Sequence, residues 1–165
     1  MTDDIIRDYG YLALGTRLRR IGERLQADVQ ALIEAHGLPI QAHHYPILYA
    51  IDDNGPLEIG QLARILGVSQ PGVTRSIGQL DAAGCVTVAT SQSDKRVRRV
   101  DLTEMGRRIL STGRSSIQPR VVGALEKIFE DDPRLLPLLD RLEDTLGNAT
   151  LADLSAPPDS DRRHG

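Results

Sequence analysis

The chain has 165 residues, a formal net charge of −3, a single cysteine and 40% hydrophobic residues, while aromatics make up only 3%. That length supports one domain whose core must be Leu, Ile, Val and Ala, which favours helices, and one cysteine excludes an internal disulfide and fits a reducing cytoplasm. No apolar run approaches the ~20 residues of a membrane span, and no basic segment followed by an apolar one opens the chain, so neither a membrane partner nor export is expected.

The first predicted element is a long helix over about 9–36. Leu18, Ile21, Leu25, Val29 and Leu32 recur at helical spacing, and Gly37 and Pro39 end the pattern. Arg19 and Arg20 fall on the solvated face. Arg17 stands four residues before Ile21, at the edge of the stripe, where it is either solvated or turned toward a cleft. In the next helical stretch Tyr45 and Tyr49 share a face with His44 nearby, as core or as the lining of a ligand site. His43 and His44 are neighbours on a helix and point about 100° apart, a poor arrangement for one metal ion, so no metal site is assigned.

Glu58–Leu66 reads as a short amphipathic helix carrying Leu62, Ile65 and Leu66, closed by Gly67. Ser69 is a strong N-cap, and Pro71 lies in the first turn of the following helix, where its missing N–H costs little. Val73, Ile77 and Leu80 give that helix one apolar face, and Gly84 ends it. Gln70, Gly72, Thr74, Arg75 and Gln79 fall on other faces. They are small or hydrogen-bonding, as a helix meeting base edges in a major groove requires. Past Gly84 the period changes. Cys85–Ala89 and Val97–Leu102 read as two strands joined by the polar loop Thr90–Arg96. Thr103 caps a new helix with Glu104 in its first turn. Arg98 and Arg99 are adjacent on a strand, so one is expected to face out and one in. Cys85 reads as a small apolar core residue with no basic neighbour to activate it.

Helix, turn, helix and hairpin in this order make a winged helix-turn-helix, a fold mainly α with a small β wing (α+β), whose best-known use is DNA reading. Val121, Val122, Leu125, Ile128 and Phe129 then form another apolar face. After Asp132-Pro133 a last helix carries Leu135, Leu138, Leu139, Leu142 and Leu146. So many leucines on terminal helices need a partner surface, and a two-fold copy is the commonest one. The expected organisation is a single domain over 1–154, with the DNA-binding part at about 54–103, dimerisation helices at about 9–36 and 104–150, and a disordered tail over 155–165. Between Arg64 and Arg108 eight basic residues stand against four acidic ones, +4 in a chain of −3, which leaves −7 elsewhere. The asymmetry puts an electropositive surface on the winged-helix part.

The stretch from Ile59 to Thr103 resembles the MarR family of bacterial transcriptional regulators. Asp94-Lys95-Arg96 followed by Val100-Asp101-Leu102-Thr103 matches that family's D-x-R and L-T signature, and Gly84-Cys85-Val86 its G-x-V. The sequence departs at Cys85, usually Leu, and at Pro119, inside an expected long helix. The N-terminal part is similar to the branch often fused to a GNAT acetyltransferase, and no such domain is expected in 165 residues. The resemblance implies a homodimeric, cytoplasmic, non-enzymatic regulator, typically a repressor, that needs no cofactor and binds double-stranded DNA at a pseudo-palindrome. It implies DNA contacts from Ser69, Gln70, Pro71, Gly72, Thr74, Arg75 and Gln79 and from the wing residues Lys95, Arg96 and Arg98, with Asp94 orienting the wing arginine. It also implies a small-molecule effector, for which Tyr11, Arg17, His44, Tyr45 and Tyr49 are the candidate lining.

Three alternatives stand beside this reading. A metal-responsive regulator of the same fold would use His43 and His44, with His36 or an acid as third ligand. A winged helix can serve protein–protein contact alone, against which the polar recognition face argues. An acetyltransferase would need an R-x-x-G-x-G/A loop, and Arg64-Ile65-Leu66-Gly67-Val68-Ser69 lacks its last glycine.

Overall fold

In the computed structural model, residues 4–90, 98–129, 132 and 134–155 are described. The chain divides into two units, Met1–Val122 and Gly123–Gly165. The first unit opens with α1 (Ile5–Asp8), a 3-10 turn (Gly10–Ala13) and α2 (Leu14–Ala35). The long first helix expected over about 9–36 therefore starts at Leu14, just ahead of its apolar stripe and not at residue 9. Gly10 takes a positive φ of 53°, which breaks the helical backbone there. A salt bridge of 2.8 Å between Arg20 and Asp4 ties α1 back onto α2.

A second 3-10 turn (Ala42–His44) leads into α3 (Tyr45–Asn54), with Pro46 in the first turn, where no amide is needed. The Ala42 amide donates to Gln30 Oε1 of α2 over 2.9 Å, fixing where α3 begins. Next come β1 (Leu57–Glu58), α4 (Ile59–Leu66), α5 (Gln70–Ala82), β2 (Val86–Thr90) and β3 (Arg98–Leu102). The strands form one antiparallel sheet in the order β1-β3-β2, with Leu57 and Val88 both opposite Val100. The hairpin was legible from alternation. β1 is not, because two residues carry no period, and Glu58 falls at the start of the helix that spacing predicts over Glu58–Leu66.

The core of this unit gathers Ile33, Leu48, Ile51, Leu62, Val73, Ile77, Leu80, Val86, Val100, Ile109 and Leu110, each almost wholly removed from water. Cys85 is among them. Burial pushes its thiol pKa up, and its Sγ faces the Ala83 carbonyl at 3.6 Å. It is a packed core thiol.

From Glu104 the chain runs helically to Phe129, as α6 (Glu104–Thr112), one π turn (Gly113–Ile117) and α7 (Gln118–Phe129). The Gln118 amide donates to the Gly113 carbonyl, five residues back. This is how Pro119 sits in a long helix without breaking it. In regular α pitch its ring would meet the carbonyl four residues earlier, and the wider turn relieves that clash.

In the second unit, α8 (Leu135–Asn148) begins just past Asp132-Pro133, and Leu136, Leu138 and Leu146 are exposed on it. A short further helix, α9 (Leu151–Ser155), was not expected. Thr150 and Asp153 cap it reciprocally: the Thr150 amide reaches Asp153 Oδ2 at 2.9 Å and the Asp153 amide reaches Thr150 Oγ1 at 3.2 Å. Ser155 thus ends a helix where the sequence predicts the tail to begin, and 156–165 lie outside the described residues. Among the described residues, no helix is long and apolar enough to cross a membrane.

Candidate nucleic-acid interface

The geometry of the helix-turn-helix follows from four short signals. The Glu58 amide donates to Gln61 Oε1 at 2.9 Å and starts α4, which buries Ile59, Leu62 and Ala63. Gly67 ends α4 in the left-handed region (φ 64°), a conformation that a residue with a Cβ adopts at a cost. Ser69 then takes extended backbone angles and accepts the Gly72 amide at 3.4 Å, opening α5 with Pro71 in its first turn. α5 buries Val73, Ile77 and Leu80, which turns Gln70, Pro71, Gly72, Thr74, Arg75 and Gln79 outward, all exposed. The outward side of α5 is the face the sequence predicts for reading DNA.

Two of its polar side chains already have partners. The Thr74 hydroxyl donates to the Gln70 carbonyl at 2.9 Å. Gln79 Oε1 lies 3.1 Å from Nε2 of His44, which is only 3% exposed. The other imidazole nitrogen, Nδ1, accepts the Gln41 backbone amide at 3.1 Å. Burial is the main cause of a His44 pKa below its usual 6.5. The Gln79 bond opposes that shift, and neighbouring His43 adds to it. With both ring nitrogens engaged, His44 has no lone pair left for a metal ion or an effector.

The wing is anchored at its base. Thr103 donates its hydroxyl to the Gly84 carbonyl at 2.7 Å and accepts the Gly106 amide at 3.1 Å, joining the end of α5 to the start of α6. Gly106 is required where it stands, since a Cβ there would collide with the Cys85 carbonyl. Arg98 and Arg99 are both exposed, which corrects the expectation of one in and one out. Arg99 pairs across β1 with Glu58 and donates from Nε to the Pro56 carbonyl at 3.3 Å, so the strand edge holds it at the surface. The wing-tip residues Asp94, Lys95 and Arg96 lie outside the described residues.

Of the five candidate effector residues, the structure brings two to one cavity. It has a volume of about 230 Å³ and is lined by Val29, Tyr45, Tyr49, Gly113, Ile117, Gln118, Val121 and Val122. Tyr11 is 93% exposed, His44 turns to Gln79, and Arg17 lies outside the lining. The two tyrosine rings stack with centroids 5.9 Å apart. The Tyr45 hydroxyl is buried with no hydrogen-bond partner among the described residues, and desolvation pushes its pKa up to about 12. An orphaned buried hydroxyl of this kind costs ~1–3 kcal/mol. Beside the cavity the Arg114 guanidinium lies 5.3 Å from the Tyr49 ring centre and pairs with Asp52 at 2.7 Å. The wall residues Gly113, Ile117 and Val121 were missed from sequence because they approach α3 from more than sixty residues away.

The sequence model of the MarR family matches residues 36–97, which span α3 to the wing. Solved structures share the fold at low identity. BpsR of Bordetella bronchiseptica, whose DNA binding is regulated by 6-hydroxynicotinic acid, is 22% identical over 79% of this chain and 98% of its own, with a TM-score of 0.69. A mutant of MarR from E. coli complexed with operator DNA is 21% identical over 78% of this chain and 92% of its own, also at 0.69. The transcriptional regulator BldR of Sulfolobus solfataricus is 21% identical over 84% and 95%, at 0.63.

Proposed function

We propose that this chain is a MarR-type regulator that controls transcription by binding double-stranded DNA as a homodimer, a reading supported by the MarR family model over residues 36–97 and by the fold it shares with solved MarR-family structures. The observation that carries the reading is the outward side of α5, which presents Gln70, Gly72, Thr74, Arg75 and Gln79 on a helix started by Ser69. The dimer would set two such helices in successive major grooves of a pseudo-palindrome, with half-sites about one helical turn apart. Arg75 and Gln70 would meet base edges, and Lys95, Arg96 and Arg98 of the wing would take the flanking minor groove and phosphates, with Asp94 orienting Arg96. Such a protein works where the DNA is, in the cytoplasm. Exposed Leu18, Ile21 and Leu25 on α2 and Leu136, Leu138 and Leu146 on α8 are the faces a second copy would cover. The test is DNA binding titrated with salt. Affinity that falls steeply and linearly in log–log form supports the reading, and no measurable binding to any duplex at low salt removes it.

A second element is control by a small molecule, supported by the cavity between α2, α3 and the π turn. Its mostly apolar lining with two phenol groups suits an aromatic ligand. A ligand favouring the conformation in which the recognition helices are wrongly spaced would lower operator affinity, and DNA would weaken the ligand by the same factor. A thermal-shift screen, repeated on Tyr45→Ala and Tyr49→Ala with operator affinity alongside, decides it. A ligand that stabilises the protein yet leaves operator affinity unchanged sinks the switch.

A further inference from the structure

The hydrogen bonds around His44 fix more than the position of a helix. The Gln41 backbone amide, which donates only, reaches His44 Nδ1 at 3.1 Å. In a neutral imidazole that nitrogen is therefore the bare one, and the proton is on Nε2. Nε2–H must then donate, so the Gln79 atom 3.1 Å away is an acceptor. An amide side chain has one such atom, its oxygen. The oxygen of Gln79 is thus turned onto an imidazole that is only 3% exposed, which leaves the NH2 group of the planar amide on the side away from it.

Adenine is read by glutamine through a pair of bonds, one donated and one accepted. A Gln79 whose acceptor faces inward offers DNA only donors. Its place on α5 narrows the target further. Nine positions past Gln70, it lies about 13 Å further along the axis, comparable with the ~12 Å width of a major groove. Base edges are met by the N-terminal residues of a recognition helix, so the third turn lies toward the sugar-phosphate backbone. We infer that Gln79 is a phosphate donor and not a base reader, held nitrogen-outward by His44, which acts as its positioning residue. The inference rests on the DNA-binding reading above. Base discrimination then falls to the first two turns, and Gln79 contributes register and affinity without sequence preference.

Two variants together test the donor. Gln79→Ala removes it without adding charge, while Gln79→Glu keeps an acceptor for His44 Nε2–H and puts an anionic oxygen in place of the nitrogen that faces DNA. The measurements are selection of bound duplexes from a randomised pool and affinity for the selected operator and for each single-base-pair variant of it. Gln79→Ala and the wild type are expected to select the same sequence, with Gln79→Ala weaker by one common factor on every duplex. Gln79→Glu should be weaker still on every duplex, by on the order of tenfold. His44→Leu, which frees the amide, should acquire an adenine preference that His44→Gln, able to donate from the same reach, does not. Should His44→Leu fail to fold, the two Gln79 variants decide alone. A changed base preference in Gln79→Ala overturns the inference while leaving the DNA-binding reading in place, and so does unchanged affinity in Gln79→Glu. Failure of the wild type to bind any duplex overturns both.

Discussion

The ring of Tyr45 lies against the bare backbone of Gly113, where an added Cβ would stand 2.7 Å from Tyr45 Cε1 and 2.9 Å from its hydroxyl oxygen. The absence of a side chain at position 113 is what lets the ring, and with it the inner wall of the cavity, take its place. Gly113→Ala should therefore destabilise by ~1–3 kcal/mol through overpacking. Tyr45→Phe removes a hydroxyl that has no partner among the described residues, so it should be neutral or stabilise by about 1 kcal/mol. Urea denaturation of the two variants checks both, and a Tyr45→Phe protein less stable by more than about 1 kcal/mol would show that the hydroxyl is bonded.

A second close approach involves backbone, which yields less than a tyrosine ring. At Gly106 the obstacle to a Cβ is the Cys85 carbonyl, at the junction of α5, the wing and α6. Gly106→Ala is expected to cost at least as much as Gly113→Ala, and thermal melts of the pair would rank them. A smaller loss for Gly106→Ala than for Gly113→Ala would mean that the wing base relaxes freely.

Stability should fall with pH earlier than carboxylates alone dictate. The folded protein holds the His44 pKa below 6.5, so the unfolded chain takes up a proton first. The stabilisation is full above 6.5, decreases below it, and is lost once the pH has passed the folded value. The carboxyls of Asp4, Asp132 and Asp153, held below 3.8 chiefly by Arg20, Arg134 and Thr150, lose their contribution only in a lower window. Denaturation midpoints measured from neutral pH downward should show the first window in the wild type and not in His44→Gln.

Arg75 and Arg96 should differ in kind. Arg75→Ala is expected to cost ~1–3 kcal/mol on the selected operator and less on random duplex. Arg96→Ala should weaken all sequences and reduce the salt slope by about one phosphate. Equal losses for Arg75→Ala on operator and random DNA would take it out of base reading.

Removing the chain after Asp132 deletes α8 and α9 with their exposed leucines. The shortened protein should sediment as a monomer or fail to fold. A well-folded dimer would place the interface elsewhere.

What could be read from sequence was whatever is settled within one turn of chain. The caps at Ser69 and Thr103 and the positive φ at Gly67 are local, and each fell where its residue type predicts. The core face of α5 followed from spacing alone. The contacts that distinguish this chain join distant positions: Gln79 to His44, Gly113 to Tyr45, β1 to β3. No periodicity encodes them, and so the sequence offers His44 as a ligand-site candidate although Gln41 and Gln79 engage both of its ring nitrogens. Pro119 misled in the opposite sense, because its helical cost is local but its relief lies in the turn before it.

That relief makes the helix from Glu104 to Phe129 unequal in its response to changes of chain length. A π turn accommodates one residue more than regular pitch, without altering the direction in which later side chains point. Losing a residue within 113–117 would restore ordinary pitch and keep α7 in phase, although the Pro119 ring would then face the carbonyl that the shortened chain places four residues before it. Losing one anywhere else in the helix would rotate everything beyond it by about 100°. Deletions scanned along 104–129 should thus be tolerated, if anywhere, at those five positions, and best when Pro119 is replaced by Ala in the same chain.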